Sequence, residues 1–176
     1  MKLLAYVCVV ALLILSSGAA RADEASAVKA VENLGGKVTR DDKLPGKPVI
    51  GVNFNANPGV VTDASLKELK DLKQLTSLDL TSTQVTDVGL QELKDLKQLT
   101  TLILTGAQVT DAGLKELKDL KQLTTLNLGG TKVTDAGLKE LKDLKQLTSL
   151  NLYATKVTDD GKADLRKALP GCKITP

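Results

Sequence analysis

The chain is poor in the side chains from which most enzyme sites are built. It has no histidine and no tryptophan, two cysteines, one phenylalanine and two tyrosines. Without histidine there is no Ser–His or Cys–His nucleophile pair, and zinc loses its commonest nitrogen ligand. The serines have no evident base or orienting partner. The sequence therefore predicts a protein that is not an enzyme and that uses no cofactor and no metal.

An excess of charge of one sign is also missing. The chain has 24 basic and 21 acidic residues. Residues 1–22 contain two of the basic residues and none of the acidic ones, so their removal leaves 22 basic residues against 21 acidic ones. A nearly neutral chain has no electrostatic footprint for nucleic acid or for an anionic membrane. We expect no nucleic-acid partner, and no small-molecule substrate is evident.

Residues 1–22 have the pattern of a secretory signal peptide. Lys2 precedes the apolar run Leu3–Leu15, and the small residues of Ser16–Ala22 end in an A-x-A cleavage pattern. The run is shorter than the ~20 residues of a membrane-spanning helix. The sequence predicts cleavage after Ala22, export to the periplasm or the exterior, and no membrane span afterwards; an uncleaved anchor is the alternative. Cys172 then has no disulfide partner, and is either a buried residue or a free thiol able to dimerise.

What the chain has in abundance is a repeated unit of 24 residues. Leu123–Gln146 reads LTTLNLGGTKVTDAGLKELKDLKQ, and Leu75–Gln98 and Leu99–Gln122 are near copies. Leu147–Pro170 keeps the first half of the unit, and Val49–Gln74 keeps the second half with two extra residues in its loop. A fixed period of this length predicts a solenoid, in which each unit buries its apolar face only against its neighbours.

The hydrophobic period changes within each unit. Leu126 and Leu128 alternate with polar residues, which predicts a short strand, and Leu138, Leu141 and Leu144 follow at helical spacing, which predicts one or two helical turns. We therefore expect an α/β fold. Its predicted parts are the signal peptide at 1–22, an N-terminal cap of a helix and a short strand at 23–48, five repeats at 49–170 and a C-terminal cap at 171–176.

The pattern L-x-x-L-x-L-x-x-T-x-V is followed by V-T-D-x-G-L in three copies, at Val85–Leu90, Val109–Leu114 and Val133–Leu138. It resembles the leucine-rich repeat superfamily, in particular its short bacterial extracytoplasmic type, and is similar to the F-box-type repeat, although no F-box precedes it. The resemblance implies a right-handed solenoid with a parallel sheet on the concave face and short helices on the convex face. The family's usual turn asparagine is replaced here by Thr83, Ala107, Thr131 and Thr155.

Two further residue types recur once per repeat. An aspartate follows a threonine at each predicted helix start, at Asp63, Asp87, Asp111, Asp135 and Asp159. We interpret the Thr-Asp pair as a helix cap, because calcium requires six to eight oxygens around one centre. A glycine recurs at Gly89, Gly113, Gly137 and Gly161. Glycine costs roughly 1 kcal/mol in a helix relative to alanine, so its recurrence predicts a close approach between adjacent repeats.

The strand positions that point away from the core are the candidate binding surface. On the predicted helices, the lysines and acidic residues of K-E-L-K-D-L-K alternate in charge, which indicates that the helix face is exposed to solvent. In a leucine-rich repeat protein the opposite, concave face is the usual binding surface, and the resemblance implies the same here. The candidate partner-binding residues are Asn53, Asp79, Thr81, Thr101, Ile103, Thr105, Thr125, Asn127, Asn151 and Tyr153.

The leading hypothesis is an exported protein-interaction module that binds a protein partner on this face. The alternative is a structural or envelope-associated repeat protein with no discrete ligand, because the predicted surface is small, rich in hydroxyl and amide groups and nearly uncharged. Tyr153 is the only aromatic residue expected there. It is either a contact anchor or a residue covered by the C-terminal segment.

Overall fold

A computed structural model describes residues 23–176, and the predicted signal peptide at 1–22 lies outside the described residues. The strands form one seven-stranded sheet in the order of the sequence. Their bounds are β1 Lys37–Arg40, β2 Val49–Asn53, β3 Ser77–Asp79, β4 Thr101–Ile103, β5 Thr125–Asn127, β6 Ser149–Asn151 and β7 Lys173–Thr175. β1 is antiparallel to β2, and the later neighbours are all parallel.

Short helices return the chain from one strand to the next. The α-helices are α1 at 23–33, α2 Asp63–Leu66, α3 Asp87–Leu90, α4 Asp111–Leu114, α5 Asp135–Leu138 and α6 Asp159–Ala168. Turns of 3₁₀ helix lie at Pro58–Val60, Lys67–Asp71, Gln91–Leu93, Lys115–Leu117 and Lys139–Leu141. Each internal repeat is thus a strand, one α-helical turn and a 3₁₀ turn. The predicted one or two helical turns per repeat are confirmed.

The strand register follows the 24-residue period of the sequence. Leu78 pairs with Leu102, Leu102 with Leu126, and Leu126 with Leu150, so equivalent leucines of successive repeats stack in a row. These leucines, and those at helical spacing behind them, are buried in one continuous core. Rows of aliphatic side chains fill this core, in which aromatic side chains are few. The α/β solenoid predicted from the repeats is confirmed.

Both ends of the stack are closed by atypical elements. Helix α1 buries Ala27, Val28 and Val31 against the first repeat. A Cβ at Gly36 would lie 2.7 Å from the Phe54 ring, so the chain can pass from helix to strand there only with glycine. None of the helices in residues 23–176 is long and apolar enough to cross a membrane.

At the other end, β7 lies within the predicted C-terminal cap and adds to the sheet beside β6. Cys172 precedes β7 and is buried, and this burial raises the pKa of its thiol. Of the two interpretations of this cysteine, the structure supports the buried residue.

Candidate partner-binding face

The side chains of β1–β7 that point away from the core form one surface, which we call the outward sheet face. The strand register aligns them in two columns. The first column is Thr39, Gly51, Ser77, Thr101, Thr125, Ser149 and Lys173, and the second is Lys37, Asn53, Asp79, Ile103, Asn127, Asn151 and Thr175. The candidate residues Thr81, Thr105 and Tyr153 lie two positions further along their chains, just beyond the strand ends.

The structure therefore brings together the strand positions proposed from the sequence. It also adds four residues that sequence reasoning missed, namely Lys37, Thr39, Lys173 and Thr175. They belong to the two end strands, which lie outside the repeat pattern. The signal for them was weak, because each end strand is short and has one apolar residue, Val38 or Ile174, between polar ones. With Lys37 and Lys173, the face carries a basic residue at each end.

Most polar side chains of the second column also serve the fold. Their Oδ1 atoms accept a hydrogen bond from the backbone N–H two residues later, which turns the chain out of the strand. These bonds join Asn53 to Asn55 at 2.9 Å, Asp79 to Thr81 at 3.0 Å, Asn127 to Gly129 at 2.9 Å and Asn151 to Tyr153 at 2.8 Å. Ile103 occupies the same column and has no group that accepts such a bond. The amide nitrogens of Asn127 and Asn151 remain available to a ligand.

Asp79 makes more contacts than its counterparts. Its Oδ1 also accepts a hydrogen bond from Thr81 Oγ1 at 2.6 Å, and its Oδ2 accepts one from Asn53 Nδ2 at 3.1 Å. All these donors are neutral. Within residues 23–176 the carboxylate has no basic side chain within 4.0 Å. The Asp79 carboxylate is therefore held in a fixed orientation without an ion-pair partner.

Two large side chains interrupt this small, polar surface. Ile103 is half-buried in the second column. Tyr153 is 69% exposed, because β7 pairs with β6 at residues 149–151 and does not extend over the ring. The contact made by Tyr153 to Asn151 uses only its backbone N–H. Of the two alternatives for Tyr153, the structure therefore does not support coverage by the C-terminal segment, and the side chain is free to contact another molecule.

The recurring aspartates have a different role from a metal site. Asp87 Oδ1 accepts a hydrogen bond from Thr110 N at 2.8 Å, and Asp87 Oδ2 accepts one from Thr110 Oγ1 at 2.6 Å. Thr110 Oγ1 in turn accepts from Ala112 N at 3.3 Å, at the start of α4. The threonine is therefore the helix cap, as the Thr-Asp pair predicted. The aspartate reaches into the following repeat, a contact that the Thr-Asp pair alone does not predict.

The same contact explains the glycine column. A Cβ at Gly113 would overlap Asp87 Oδ1, and Gly89, Gly137 and Gly161 face the aspartate of the preceding repeat in the same way. The predicted close approach of adjacent repeats is confirmed. The first repeat has no preceding repeat to supply an aspartate, and its residue at the glycine position is Ser65. The Ser65 Oγ accepts a hydrogen bond from Thr62 N at 3.1 Å.

Other hydroxyl groups also bond within the solenoid. Thr83, Thr131 and Thr155 stand at the turn where the family has asparagine, and each donates to the carbonyl three residues earlier, at 2.8, 2.6 and 2.8 Å. A second row, of Thr76, Thr100, Thr124 and Thr148, donates to backbone carbonyls of the preceding repeat. Lysines and acids of the helix face, such as Lys118 and Asp119, are exposed. These two rows of hydroxyl groups are therefore engaged within the solenoid and do not form a binding surface.

A family model described as Leucine Rich repeat matches residues 73–94, 97–118 and 121–142. An internalin from Listeria monocytogenes is 27% identical with a TM-score of 0.54, and the match covers 62% of this chain and 30% of that one. Internalin C2 from the same organism is 32% identical with a TM-score of 0.51, and the match covers 61% of this chain and 44% of that one. This chain thus spans less than half the length of either internalin.

A third similar structure is the leucine-rich repeat ectodomain of a receptor kinase from Arabidopsis thaliana. It is 15% identical with a TM-score of 0.58, and the match covers 88% of this chain and 91% of the ectodomain. At this identity the likeness concerns the fold alone. No curated protein matches the chain.

Proposed function

We propose, from the membership of this chain in the leucine-rich repeat superfamily, that it is a protein-interaction module and that its outward sheet face contacts the partner. By resemblance to the superfamily this face is the concave one. A protein partner suits a broad, open and polar surface of stacked strands better than a small substrate, which is usually bound in an enclosed, largely apolar pocket.

The observation that carries this proposal is the exposure of Tyr153. The residue is 69% exposed, and its described hydrogen bonds are all made by its backbone. Tyrosine is among the residues that contribute most to protein interfaces. Ile103 supports the same conclusion, because it replaces an asparagine whose side chain would bond to the backbone in that column. Neither large side chain makes a hydrogen bond that its strand or turn requires.

We further propose that the protein is exported. The support is the pattern of residues 1–22, with its apolar run and small-residue tract. The mature chain then begins at Asp23, which is the first residue of α1 that the structure describes. Intact mass of the protein recovered from outside the cytoplasm tests this. A retained Met1, or export that persists after deletion of residues 1–22, contradicts it.

The binding proposal is tested by saturable capture of a protein from an envelope extract of the source organism. Tyr153→Ala should weaken capture by an amount on the order of 2 kcal/mol, as for an interface hot spot, and should leave the melting temperature nearly unchanged. Val88→Ala is the matched control, because Val88 is also exposed but lies at the start of helix α3. Capture that is not saturable, or that both substitutions weaken equally, favours the structural role without a discrete ligand.

A further inference from the structure

The near-identical repeats allow each position of the outward sheet face to be compared with its counterparts. Gly51 stands in a column otherwise filled by serine and threonine in the repeats. Asp79 and Ile103 stand in a column that is otherwise asparagine in the repeats. These three departures are neighbours on β2, β3 and β4 and line the same shallow depression, together with Thr39 and Ser77. Its floor is low because Gly51 has no side chain.

The fold does not require the charge of Asp79. Asn127 and Asn151 accept the same hydrogen bond from the backbone two residues later, at 2.9 and 2.8 Å against 3.0 Å for Asp79. A neutral amide is therefore sufficient for the turn. The additional bonds to Asp79 come from Asn53 and Thr81, and these neutral donors leave its charge uncompensated.

Ile103 is not required by the turn either, since it makes no such bond. It lies opposite Asp79 in the β3–β4 register, so the depression has a carboxylate beside an aliphatic side chain. A long basic side chain has the matching chemistry, with an apolar stem and a cationic head. Lys37, the basic residue in this column, pairs with Asn53 in the register and makes no ion pair with Asp79.

We propose that this depression is a subsite for an arginine or lysine side chain of the protein partner, whose stem packs on Ile103 and whose charged group binds Asp79 Oδ2. The inference rests on the proposed function and names the chemistry of the partner at one point of the surface. It makes Asp79 and Ile103 the residues that select for a basic group, and Tyr153 a separate contact at the far end of the face.

The test is a titration of the ¹⁵N-labelled protein with N-acetyl-arginine amide, followed by amide chemical shifts. The expected result is a saturable shift confined to the residues around Gly51, Ser77 and Asp79. N-acetyl-citrulline amide, which has the same shape without the charge, should bind about tenfold more weakly or not at all. Asp79→Asn should reduce arginine affinity by about tenfold while keeping the fold, because asparagine already occupies this position in other repeats.

A matched control and a second variant complete the test. Asp119→Asn removes one charge from the exposed helix face and should leave arginine binding unchanged. Ile103→Asn restores the asparagine of its column and should weaken binding of the probe by several-fold. Three results would overturn the inference. They are equal binding of the two probes, a loss of arginine binding in Asp119→Asn, and the absence of any saturable chemical shift change. If the probe fails but Tyr153→Ala still weakens capture of the partner, the subsite is wrong and the proposed function stands.

Discussion

Asp87 of one repeat holds Thr110 of the next repeat by two hydrogen bonds, 2.8 Å to the backbone nitrogen and 2.6 Å to the hydroxyl oxygen. The same pair of bonds joins Asp63 to Thr86, Asp111 to Thr134 and Asp135 to Thr158. Each of these threonines is also the N-terminal cap of the helix that follows it. Each junction between successive repeats in this series is therefore closed by one carboxylate.

Asp111→Ala should destabilise the protein, because it removes both hydrogen bonds to Thr134 at the centre of the stack. The expected loss in the free energy of unfolding is about 1–3 kcal/mol, measured by urea denaturation. Asp159→Ala is the control, since Asp159 has the same place in the last repeat but is fully exposed, and in the described chain it pairs only with Lys162 of its own helix. Its effect should stay within about 0.5 kcal/mol. Equal losses for the two variants would show that the junction bonds contribute nothing.

Gly113→Ala should also destabilise the protein, by about 1–3 kcal/mol, because the added methyl group overlaps Asp87 Oδ1. In an Asp87→Ala background the same substitution should cost little, since the overlapping carboxylate is gone and alanine is the better helix former. The two substitutions are thus expected to be strongly non-additive in a double-mutant cycle. Additive losses would mean that the glycine is required for some other reason.

Acid should weaken the last junction. The hydrogen bond from the Thr158 hydroxyl, followed by that from its backbone, lowers the pKa of Asp135 below its ordinary value of 3.8. The folded state then binds fewer protons than the unfolded state, so the stabilisation is present above about pH 4 and is lost as pH falls through the lowered pKa. Thr158→Val removes the first of these bonds and should make the decline in unfolding free energy below about pH 4 shallower.

The control for the acid experiment is Thr148→Val. Thr148 also donates its hydroxyl to a neighbouring repeat, but to the carbonyl of Thr124 and not to a carboxylate. This substitution should lower stability at every pH without changing the slope of the acid decline. A slope unaffected by Thr158→Val would contradict the assignment.

Deletion of one whole repeat, Leu99–Gln122, should leave a folded and less stable protein. In the shortened chain Asp87 meets Thr134, which is the same residue type as its native partner Thr110 and stands at the same position in the repeat. Deletion of the half-repeat Leu99–Thr110 should unfold the protein, because a strand position would then be occupied by helix sequence. Circular dichroism melts distinguish the two. Similar damage from both deletions is incompatible with an independent 24-residue unit.

The sequence was sufficient for the solenoid because its signals are local and repeated. The alternation around Leu126 and the helical spacing after Leu138 each concern residues of one unit, and the 24-residue period then fixes the register between units. The columns of the outward sheet face follow from the same period. The period alone therefore predicts one column of Asn53, Asp79, Ile103, Asn127 and Asn151, and the strand register confirms it.

The sequence alone does not predict the side-chain contacts between repeats. An aspartate beside a threonine at a helix start has the composition of a local cap, and nothing in that pair shows that Asp87 reaches a residue 23 positions later. The glycine column indicated a close approach but not which atom approaches. Lys37 and Lys173 were missed because the end strands have no repeat to align them. In each case the decisive partner is distant in the chain or lies outside the period.

The most direct test of the central claim, that the outward sheet face binds a protein, is site-specific photo-crosslinking in the source organism. A benzoylphenylalanine is placed at Ile103 or Thr125 on this face, or at exposed Lys118 on the helix face. The account predicts a discrete adduct with one protein from the two sheet positions and none from Lys118. Adducts from Lys118 alone, or equal adducts from all three positions, would contradict it.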